Sequence, residues 1–180
     1  GNIYLRHHNY QKALEYYMKI LELEREENDK HAEAGTLDNI GIVYAEQKQF
    51  NKGLEYQQMA LKIREEIGDK AGLAATLINI GDNYGHQKNY VKALEYFNTG
   101  LIYARETGYK EWTQNCYGSM AEAYEGLGDI KKALEYYKLF STIKDTILNE
   151  ESNKNISKMK IQYETEKKEQ QIKLLKTEKE

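Results

Sequence analysis

The sequence predicts an all-α protein, a solenoid of antiparallel helix pairs, and three observations support this. The 180 residues contain no proline, 31% are charged, and alanine, leucine, glutamate, lysine and glutamine recur throughout, which favours helix nearly everywhere. A block of sequence returns every 40 residues, and each copy carries a small residue at a fixed place. The 16 tyrosines make up much of the 40% hydrophobic content, so we expect many shallow interfaces instead of one deep core.

The repeat is clearest in a five-residue block that begins with lysine and ends with Leu-Glu-Tyr. The block occurs at 12–16, 52–56, 92–96 and 132–136, each copy 40 residues after the last. A small residue with tyrosine three positions later follows the same step, as Gly1 and Tyr4, Gly41 and Tyr44, Gly81 and Tyr84, and Ala121 and Tyr124. Antiparallel helices approach closely only where one of them carries little side chain. These positions therefore predict the line of contact within each helix pair.

The joints between helix pairs repeat as well. Asn28, Gly68 and Gly108 follow the second helix of successive pairs, and these residue types tolerate the left-handed backbone of a helix C-cap. Leu148 holds the fourth equivalent position and does not suit that backbone, so either the break moves to Asn149 or the helix continues. The predicted helices are 9–27, 30–46, 50–67, 70–87, 90–107, 110–127, 130–148 and a long final helix from about 150.

This pattern resembles the tetratricopeptide repeat (TPR). The closest match is the set Gly81, Tyr84, Ala93 and Phe97. In the preceding copy Gln57 departs from the pattern, because an aromatic residue is usual there. The step of 40 residues exceeds the usual 34 and resembles a long-helix subclass whose members bind extended peptides or helical partners. The resemblance implies a right-handed TPR superhelix over residues 1–148, with a partial first repeat and full repeats at about 30–67, 70–107 and 110–148, followed by a C-terminal helix over 149–180.

The C-terminal stretch is similar to the end of the TPR sensor region in certain bacterial membrane-anchored signalling proteins. The similarity lies in residues 139–145, 149–151 and 163–169. In that family a charged helix leads into a transmembrane segment, followed by a histidine kinase or a helix-turn-helix regulator. The resemblance implies that this chain is the sensor portion of such a protein, that the parent protein is membrane-anchored, and that this region is periplasmic, with a cytoplasmic location as the alternative.

The repeat register also predicts a binding surface, because the first helix of each pair lines the inner side of a solenoid. The candidate residues lie near the small residue of each first helix and farther along the same helix. The predicted peptide-binding residues are Asp38, Asn39, Ile42, Glu46, Ile78, Asn79, Asp82, His86, Asn115, Ser119, Glu122 and Glu125.

Two asparagines stand out in this set. A carboxamide both donates and accepts hydrogen bonds, so Asn39 and Asn79 could pair with the backbone of an extended peptide whatever its sequence. Long-helix TPR relatives use an asparagine at this place in that way, and the resemblance implies the same role here. The alternative is that these asparagines simply hydrate an exposed turn of helix. Ser119 interrupts the series in the third pair.

Charge predicts the class of partner. TPR modules that grip a C-terminal carboxylate carry Lys, Arg and Asn on the inner surface, whereas this chain offers Asp38, Asp82 and Glu122. We therefore expect a protein or peptide partner that is neutral or basic, the alternative being a solvated acidic face without a ligand. The net charge of -3 gives no general attraction for phosphate backbones, so nucleic acid is not predicted as a partner.

The sequence predicts no catalytic residue, cofactor or metal site. The four histidines form no cluster at ligand spacing, no glycine-rich phosphate loop occurs, and Cys116 has no evident base beside it. The lone cysteine is predicted to be a packing residue. No apolar run approaches the roughly 20 residues that cross a bilayer, so membrane contact by this region is not expected.

The two ends of the chain suggest surfaces for self-association. Ile156, Met159 and Tyr163 follow helical steps and are expected to cap the last helix pair, while Ile172, Leu174 and Leu175 form a second apolar group that could pair with another copy as a coiled coil. The chain begins within a first helix, so the protein is expected to continue upstream and the helix at 9–27 to keep an uncovered face. A homodimer through either surface is predicted.

Three functions are compatible with these features. The first is a peptide- or protein-sensing module that relays occupancy through the final helix. The second is a passive assembly scaffold without ligand sensing. The third, a regulator with enzymatic activity on its partner, depends on an added helical bundle for which the chain has no room.

Overall fold

The computed structural model describes residues 4–5 and 8–177, with side chains as far as residue 169. These residues form seven helices and no strand: α1 Tyr10–Glu26, α2 Lys30–Glu46, α3 Phe50–Ile67, α4 Lys70–His86, α5 Tyr90–Thr107, α6 Lys110–Gly126 and α7 Ile130–Thr177. The all-α repeat fold is confirmed, and the bounds of α1 to α6 agree with the predicted ones to one residue at either end.

The last helix differs from the prediction. α7 runs from Ile130 to Thr177 without a break, so the continuing helix is the correct alternative at Leu148 and Asn149, and no separate helix begins near 150. Neither residue is forced out of helical geometry, since the segment contains no glycine or proline. The chain divides into two compact units, residues 1–141 and 142–180.

The second unit consists of the C-terminal part of α7. All its side chains from 148 to 169 are exposed, including Ile156, Met159 and Tyr163 at 50%, 70% and 66%. The cap that these residues were expected to form stays a prediction. The apolar group at 172–175 lies outside the residues whose side chains are described, as does Gly1 at the other end of the chain.

The joints confirm the prediction for the helix C-caps. Asn28, Gly68 and Gly108 have φ of 55°, 69° and 71°, the left-handed conformation that glycine and asparagine tolerate best. The turns within the pairs use it too, at Lys48, Lys88 and Gly128, which the sequence analysis did not predict. Side chains in both kinds of connection cap the following helices. Asp29 and Asp69 at the joints, and Asn9, Asn89 and Asp129 in the turns within pairs, each accept a hydrogen bond from the backbone N–H three residues later.

The small residues lie at the closest approach of the two helices in a pair, as predicted. A Cβ added at Gly41 would lie 2.9 Å from the carbonyl oxygen of Gly53, and one added at Gly53 would lie 2.8 Å from that of Gly41. In the next pair a Cβ at Gly81 would clash with the ring of Phe97. Larger side chains at these positions would push the helices apart.

The repeated lysine and tyrosine residues form one motif in each pair. The tyrosine of the first helix stacks on the tyrosine that ends the five-residue block, with ring centroids 5.4 Å apart for Tyr44 and Tyr56. Lys52 lies over the Tyr44 ring at 5.4 Å, within the range of a cation–π contact. The other three pairs repeat this arrangement with stacking distances of 5.2 to 5.5 Å. The motif explains why these positions are identical in all four copies.

One repeat junction contains a buried amide pair in place of apolar side chains. Gln57 Nε2 donates to the backbone carbonyl of Asn79 at 3.2 Å, and Asn83 Nδ2 donates to Gln57 Oε1 at 3.2 Å. Both side chains are almost fully buried. Gln87 in turn donates to Asn83 Oδ1 at 3.1 Å. Gln57 thus replaces the usual aromatic residue, and Asn83 on α4 supplies a polar partner for it.

The first helices of successive pairs lie on the inner side of the bend in the array of residues 1–141. α2 contacts α4 and α4 contacts α6, and these contacts are more extensive than any between the second helices. Closer spacing on one side means that the array curves toward that side. We call the surface formed by α2, α4 and α6 the inner wall.

Candidate functional site

Four of the predicted binding residues meet around one cavity on the inner wall. The cavity holds about 200 Å³ and lies where α4, α5 and α6 come together. Its lining consists of Asp82, Gly85 and His86 on α4, Tyr90 and Phe97 on α5, and Ser119, Glu122 and Ala123 on α6. We call it the Asp82 cavity.

The carboxyl group of Asp82 dominates the electrostatics of this cavity. Ser119 Oγ donates a hydrogen bond to Asp82 Oδ1 at 2.8 Å, and this bond favours the ionised form. Burial outweighs it and raises the pKa of Asp82 to about 6, with a smaller contribution from the negative charge of Glu122. No lysine or arginine lines the cavity. Asp82 is therefore mostly ionised at neutral pH without a permanent positive charge beside it.

An equivalent cavity lies one repeat earlier along the wall. It holds about 210 Å³ and is lined by Ala45, Glu46, Lys48, Phe50 and His86. Glu46 and Phe50 stand 40 residues before His86 and Tyr90 of the Asp82 cavity, so the two cavities are repeats of one feature. Lys48 gives this second cavity, the Glu46 cavity, a mixed charge.

Asn39 and Asn79 are half-buried, and they lie on the same helices as Glu46 and Asp82. Asn79 and Ile42 occupy the places that Ser119 and Asp82 occupy one repeat later. Because Ile42 cannot accept a hydrogen bond, the Asn79 side chain lacks the partner that Ser119 has. Among the described residues, neither the Asn39 nor the Asn79 carboxamide hydrogen-bonds another group, so both retain their donors and acceptors.

The remaining two exposed candidates do not line either cavity. Asn115 and Glu125 are exposed on α6. The Glu125 carboxylate accepts a long hydrogen bond from Tyr137 at 3.4 Å, which ties it to α7.

Two of the predicted binding residues are buried, and their assignment to the binding surface is wrong. Asp38 is 4% exposed and forms an ion pair with Arg64 on α3, with its Oδ2 2.7 Å from the guanidinium. Thr76 on α4 also donates to Asp38 Oδ2, at 2.8 Å. Burial nevertheless raises the pKa of Asp38 to about 6. The position three residues before the small residue therefore faces the junction between repeats, and not the inner surface.

Ile78 occupies that same position one repeat later. It is 2% exposed and packs in an apolar cluster with Phe97, Cys116 and Met120. Ile78 stands 40 residues after Asp38, so it faces the next repeat junction just as Asp38 faces its own.

The sequence analysis missed the aromatic and basic residues of the cavities. Tyr90 and Phe97 supply the walls of the Asp82 cavity, and Phe50 and Lys48 belong to the Glu46 cavity. They lie on second helices or in turns. The prediction considered only the first helix of each pair and therefore did not include them. The 40-residue equivalence of Phe50 and Tyr90 is the signal that could have identified them.

The described residues show neither a metal-binding cluster nor a reactive thiol. They contain no group of three or more His, Cys, Asp or Glu side chains able to hold a metal ion. Cys116 is buried, donates to the carbonyl oxygen of Phe97 at 3.1 Å, and has its pKa raised to about 12 by burial, so the thiol is a poor nucleophile. Within the described part of the chain, no helix combines the length and apolar character needed to cross a membrane.

Comparison with known families identifies the repeat. The family model described as tetratricopeptide repeat matches residues 1–66, 33–101 and 72–139, which together cover more than half of the chain. No curated protein sequence matches the chain.

Several solved structures have a similar fold. BtubC (BKLC) from P. vanneervenii has a TM-score of 0.70 at 17% identity, with 81% of this chain and 61% of that chain covered. The apo form of RapI has a TM-score of 0.70 at 18% identity, covering 81% of this chain and 40% of RapI. The TPR domain of Arabidopsis FLU has a TM-score of 0.61 at 20% identity, covering 65% of this chain and 98% of that domain. The chain thus spans about three fifths of BtubC and two fifths of RapI, and at these identities the similarity concerns the fold.

Proposed function

The chain belongs to the tetratricopeptide repeat family of protein-interaction modules, and we propose that its inner wall binds an extended peptide or protein segment. The observation that carries the proposal is the Asp82 cavity, where Asp82, His86, Ser119 and Glu122 come together. Ligand sites are concave and combine apolar walls with a few convergent polar groups, and this cavity has that composition. The module acts by binding and has no enzymatic activity of its own in this proposal.

The half-buried asparagines support an extended ligand. Asn39 and Asn79 stand one repeat apart on the same wall and retain their hydrogen-bonding groups. A ligand in extended conformation presents backbone N–H and C=O groups that need partners once water is displaced. Two carboxamides spaced along the wall would supply such partners at successive repeats.

The charge of the wall supports a neutral or basic ligand. Asp82, Glu122 and Glu46 line the two cavities, and Lys48 is the one lysine or arginine among their lining residues. An acidic ligand would meet like charges at short range, and such repulsion disfavours binding.

The first test is the double substitution Asn39→Ala and Asn79→Ala. With peptides selected by display against the wild-type chain as probes, we expect the affinity to fall about tenfold or more, because each lost hydrogen bond costs about 0.5–1.5 kcal/mol. Isothermal titration calorimetry measures the change. The control carries Asn51→Ala and Asn98→Ala, two exposed asparagines on the second helices α3 and α5. Equal affinities for the two double variants would contradict binding on the inner wall.

We further propose that the module is the sensor portion of a bacterial signal-transduction protein, with a histidine kinase or transcriptional regulator as output and a periplasmic location. The resemblance of residues 139–145, 149–151 and 163–169 to such proteins supports this, and so does the continuity of α7, which runs from the last repeat to Thr177. A rigid secondary-structure element such as a single helix can carry a change at the repeats to a following domain. The alternatives are a passive assembly scaffold and a cytoplasmic location.

Hydrogen exchange distinguishes the sensor from the scaffold. If peptide occupancy is relayed along α7, the backbone amides of residues 142–169 should change in protection when a selected peptide saturates the wild-type chain. The Asn39→Ala and Asn79→Ala variant at the same peptide concentration is the control. A change confined to α2, α4 and α6 would favour the scaffold.

A further inference from the structure

We propose that the Asp82 cavity is a specificity pocket for one lysine or arginine side chain of the bound segment. The inference rests on the proposed function, because it assumes that a peptide lies along the inner wall. It adds the class of side chain that this one cavity selects.

The shape and lining of the cavity fit such a side chain. Lysine and arginine have an apolar stem and a charged end, and the stem packs well against apolar surface. The rings of Tyr90 and Phe97 supply that surface on α5, and the carboxylates of Asp82 and Glu122 provide acceptors on α4 and α6. A cation that reaches both carboxylates would complete charge-assisted hydrogen bonds across the junction of two repeats.

The hydrogen bonding of Asp82 leaves room for this cation. Ser119 occupies Asp82 Oδ1, and Asp82 Oδ2 has no hydrogen-bond donor among the described residues and is not sealed from the cavity. A half-buried carboxylate without a fixed cation is poorly solvated, and its raised pKa agrees with that. A bound ammonium or guanidinium group would relieve this, whereas an apolar side chain would displace water from the carboxylate without replacing its hydrogen bonds.

Comparison with the Glu46 cavity indicates why only the Asp82 cavity is expected to select a basic side chain. The Glu46 cavity is similar in size, but Lys48 lies in its lining beside Glu46. This lysine already supplies a positive charge, so the Glu46 cavity has no need of a basic ligand side chain. A peptide spanning both cavities is therefore expected to carry its basic residue at one fixed position, and not at random along its length.

The test uses nine-residue peptides selected by display against the full chain. Among peptides whose binding is weakened by Asn39→Ala and Asn79→Ala, we expect a lysine or arginine at one constant position. The best peptide is then synthesised with that residue and with norleucine in its place, which keeps the stem and removes the charge. On the wild-type chain we expect norleucine to weaken binding about tenfold or more. On the variant with Asp82→Asn and Glu122→Gln the two peptides should bind within about threefold of each other, because the charge they differ by has lost its partners.

The control is Glu95→Gln, which removes an exposed carboxylate on α5 and should preserve the full norleucine effect. Circular dichroism checks that each variant is folded. If the double variant is unfolded, Glu122→Gln alone takes its place, since Glu122 is exposed, and at least half of the norleucine effect on the logarithm of affinity should disappear.

Two results would overturn the inference while leaving the proposed function intact. One is a set of wall-binding peptides without a constant basic position, and the other is an equal norleucine effect on the wild-type chain and the cavity variant. A third result, in which no selected peptide depends on Asn39 or Asn79, would overturn the proposed function and this inference with it.

Discussion

Arg64→Met is expected to lower the free energy of unfolding by about 3–5 kcal/mol at pH 7.5, the cost of leaving a buried charge without its partner. Arg64 on α3 is 7% exposed and is the ion-pair partner of Asp38 on α2, at the junction where this helix pair meets α4. Its guanidinium also donates to the backbone carbonyl of Gly72 and to Thr76 on α4. Methionine has a similar length and fills the space, so the loss reports the charge and its hydrogen bonds more than a cavity. Urea unfolding measures it.

The effect should depend on pH with a definite sign. Burial raises the pKa of Asp38 to about 6 in the folded protein, above the ordinary value of 3.8, so the folded state holds the proton more tightly than the unfolded state. Asp38 therefore contributes most to stability below about pH 4, and that contribution is lost as pH rises toward and through 6. Arg64 lowers the pKa of Asp38, so its removal raises this pKa further. The difference between wild type and Arg64→Met should shrink at pH 5 and grow between pH 6 and 8.

The repeat supplies its own rescue for this variant. One repeat later Ile78 and Ala104 occupy the places of Asp38 and Arg64, which shows that the fold also accepts an apolar junction. Asp38→Ile combined with Arg64→Met should recover most of the lost stability and remove the pH dependence. The control Lys62→Met removes an exposed positive charge from the same helix as Arg64 and should cost under about 1 kcal/mol. A double variant no more stable than Arg64→Met would show that the ion pair is not the source of the loss.

The same comparison of repeats explains how far the sequence predicts this fold. The 40-residue step located the helices, the close approach at Gly41 and Gly81, and the left-handed joints, because each depends on local residue type and on a neighbour at fixed spacing. The continuation of α7 through Leu148 was left open. Leu148 favours a continuing helix, whereas Asn149 is a residue type that tolerates a joint, so the residue types alone leave both outcomes open.

The binding site was less predictable, because a register assigns a residue to a helix but not to one side of a packed interface. Asp38 and Asp82 are both acidic residues near a small residue on a first helix, yet Asp38 is buried against Arg64 and Asp82 lines a cavity. Relative to the small residue of each helix, the two positions are four residues apart, only about 40° around the helix and about 6 Å along it. The side chains that the neighbouring helices place there therefore decide which of the two is buried. The clue to Asp38 was the appearance of Arg64 where the next repeat has Ala104, a matched pair of polar replacements.

The second large effect on stability is expected at the buried amide pair formed by Gln57 and Asn83. Asn83→Ala is expected to lower the free energy of unfolding by about 2–3 kcal/mol, because it leaves Gln57 Oε1 buried without a donor and opens a gap beside Gly53. Gly53→Ala alone should also destabilise the protein, since its Cβ would lie 2.7 Å from Asn83 Nδ2. The same Cβ would lie 2.8 Å from the carbonyl oxygen of Gly41. Asn83→Ala removes the first of these contacts, and a small separation of α2 and α3 is needed to relieve the second.

The following repeat has apolar residues at the equivalent junction. Gly53, Gln57 and Asn83 correspond to Ala93, Phe97 and Ala123 one repeat later, and all three of those side chains lie in one buried cluster. The triple variant Gly53→Ala, Gln57→Phe and Asn83→Ala transfers that solution, and its stability should return to within about 1 kcal/mol of wild type, because the changes are compensating neighbours and not independent sites. Chemical denaturation of wild type, the three single variants and the triple variant forms the test. The contrary result is a triple variant whose free energy of unfolding falls by the sum of the three single-variant decreases. The two junctions would then not be interchangeable. The backbone around Gly41 would have to differ from that around Gly81 although both share the 40-residue register.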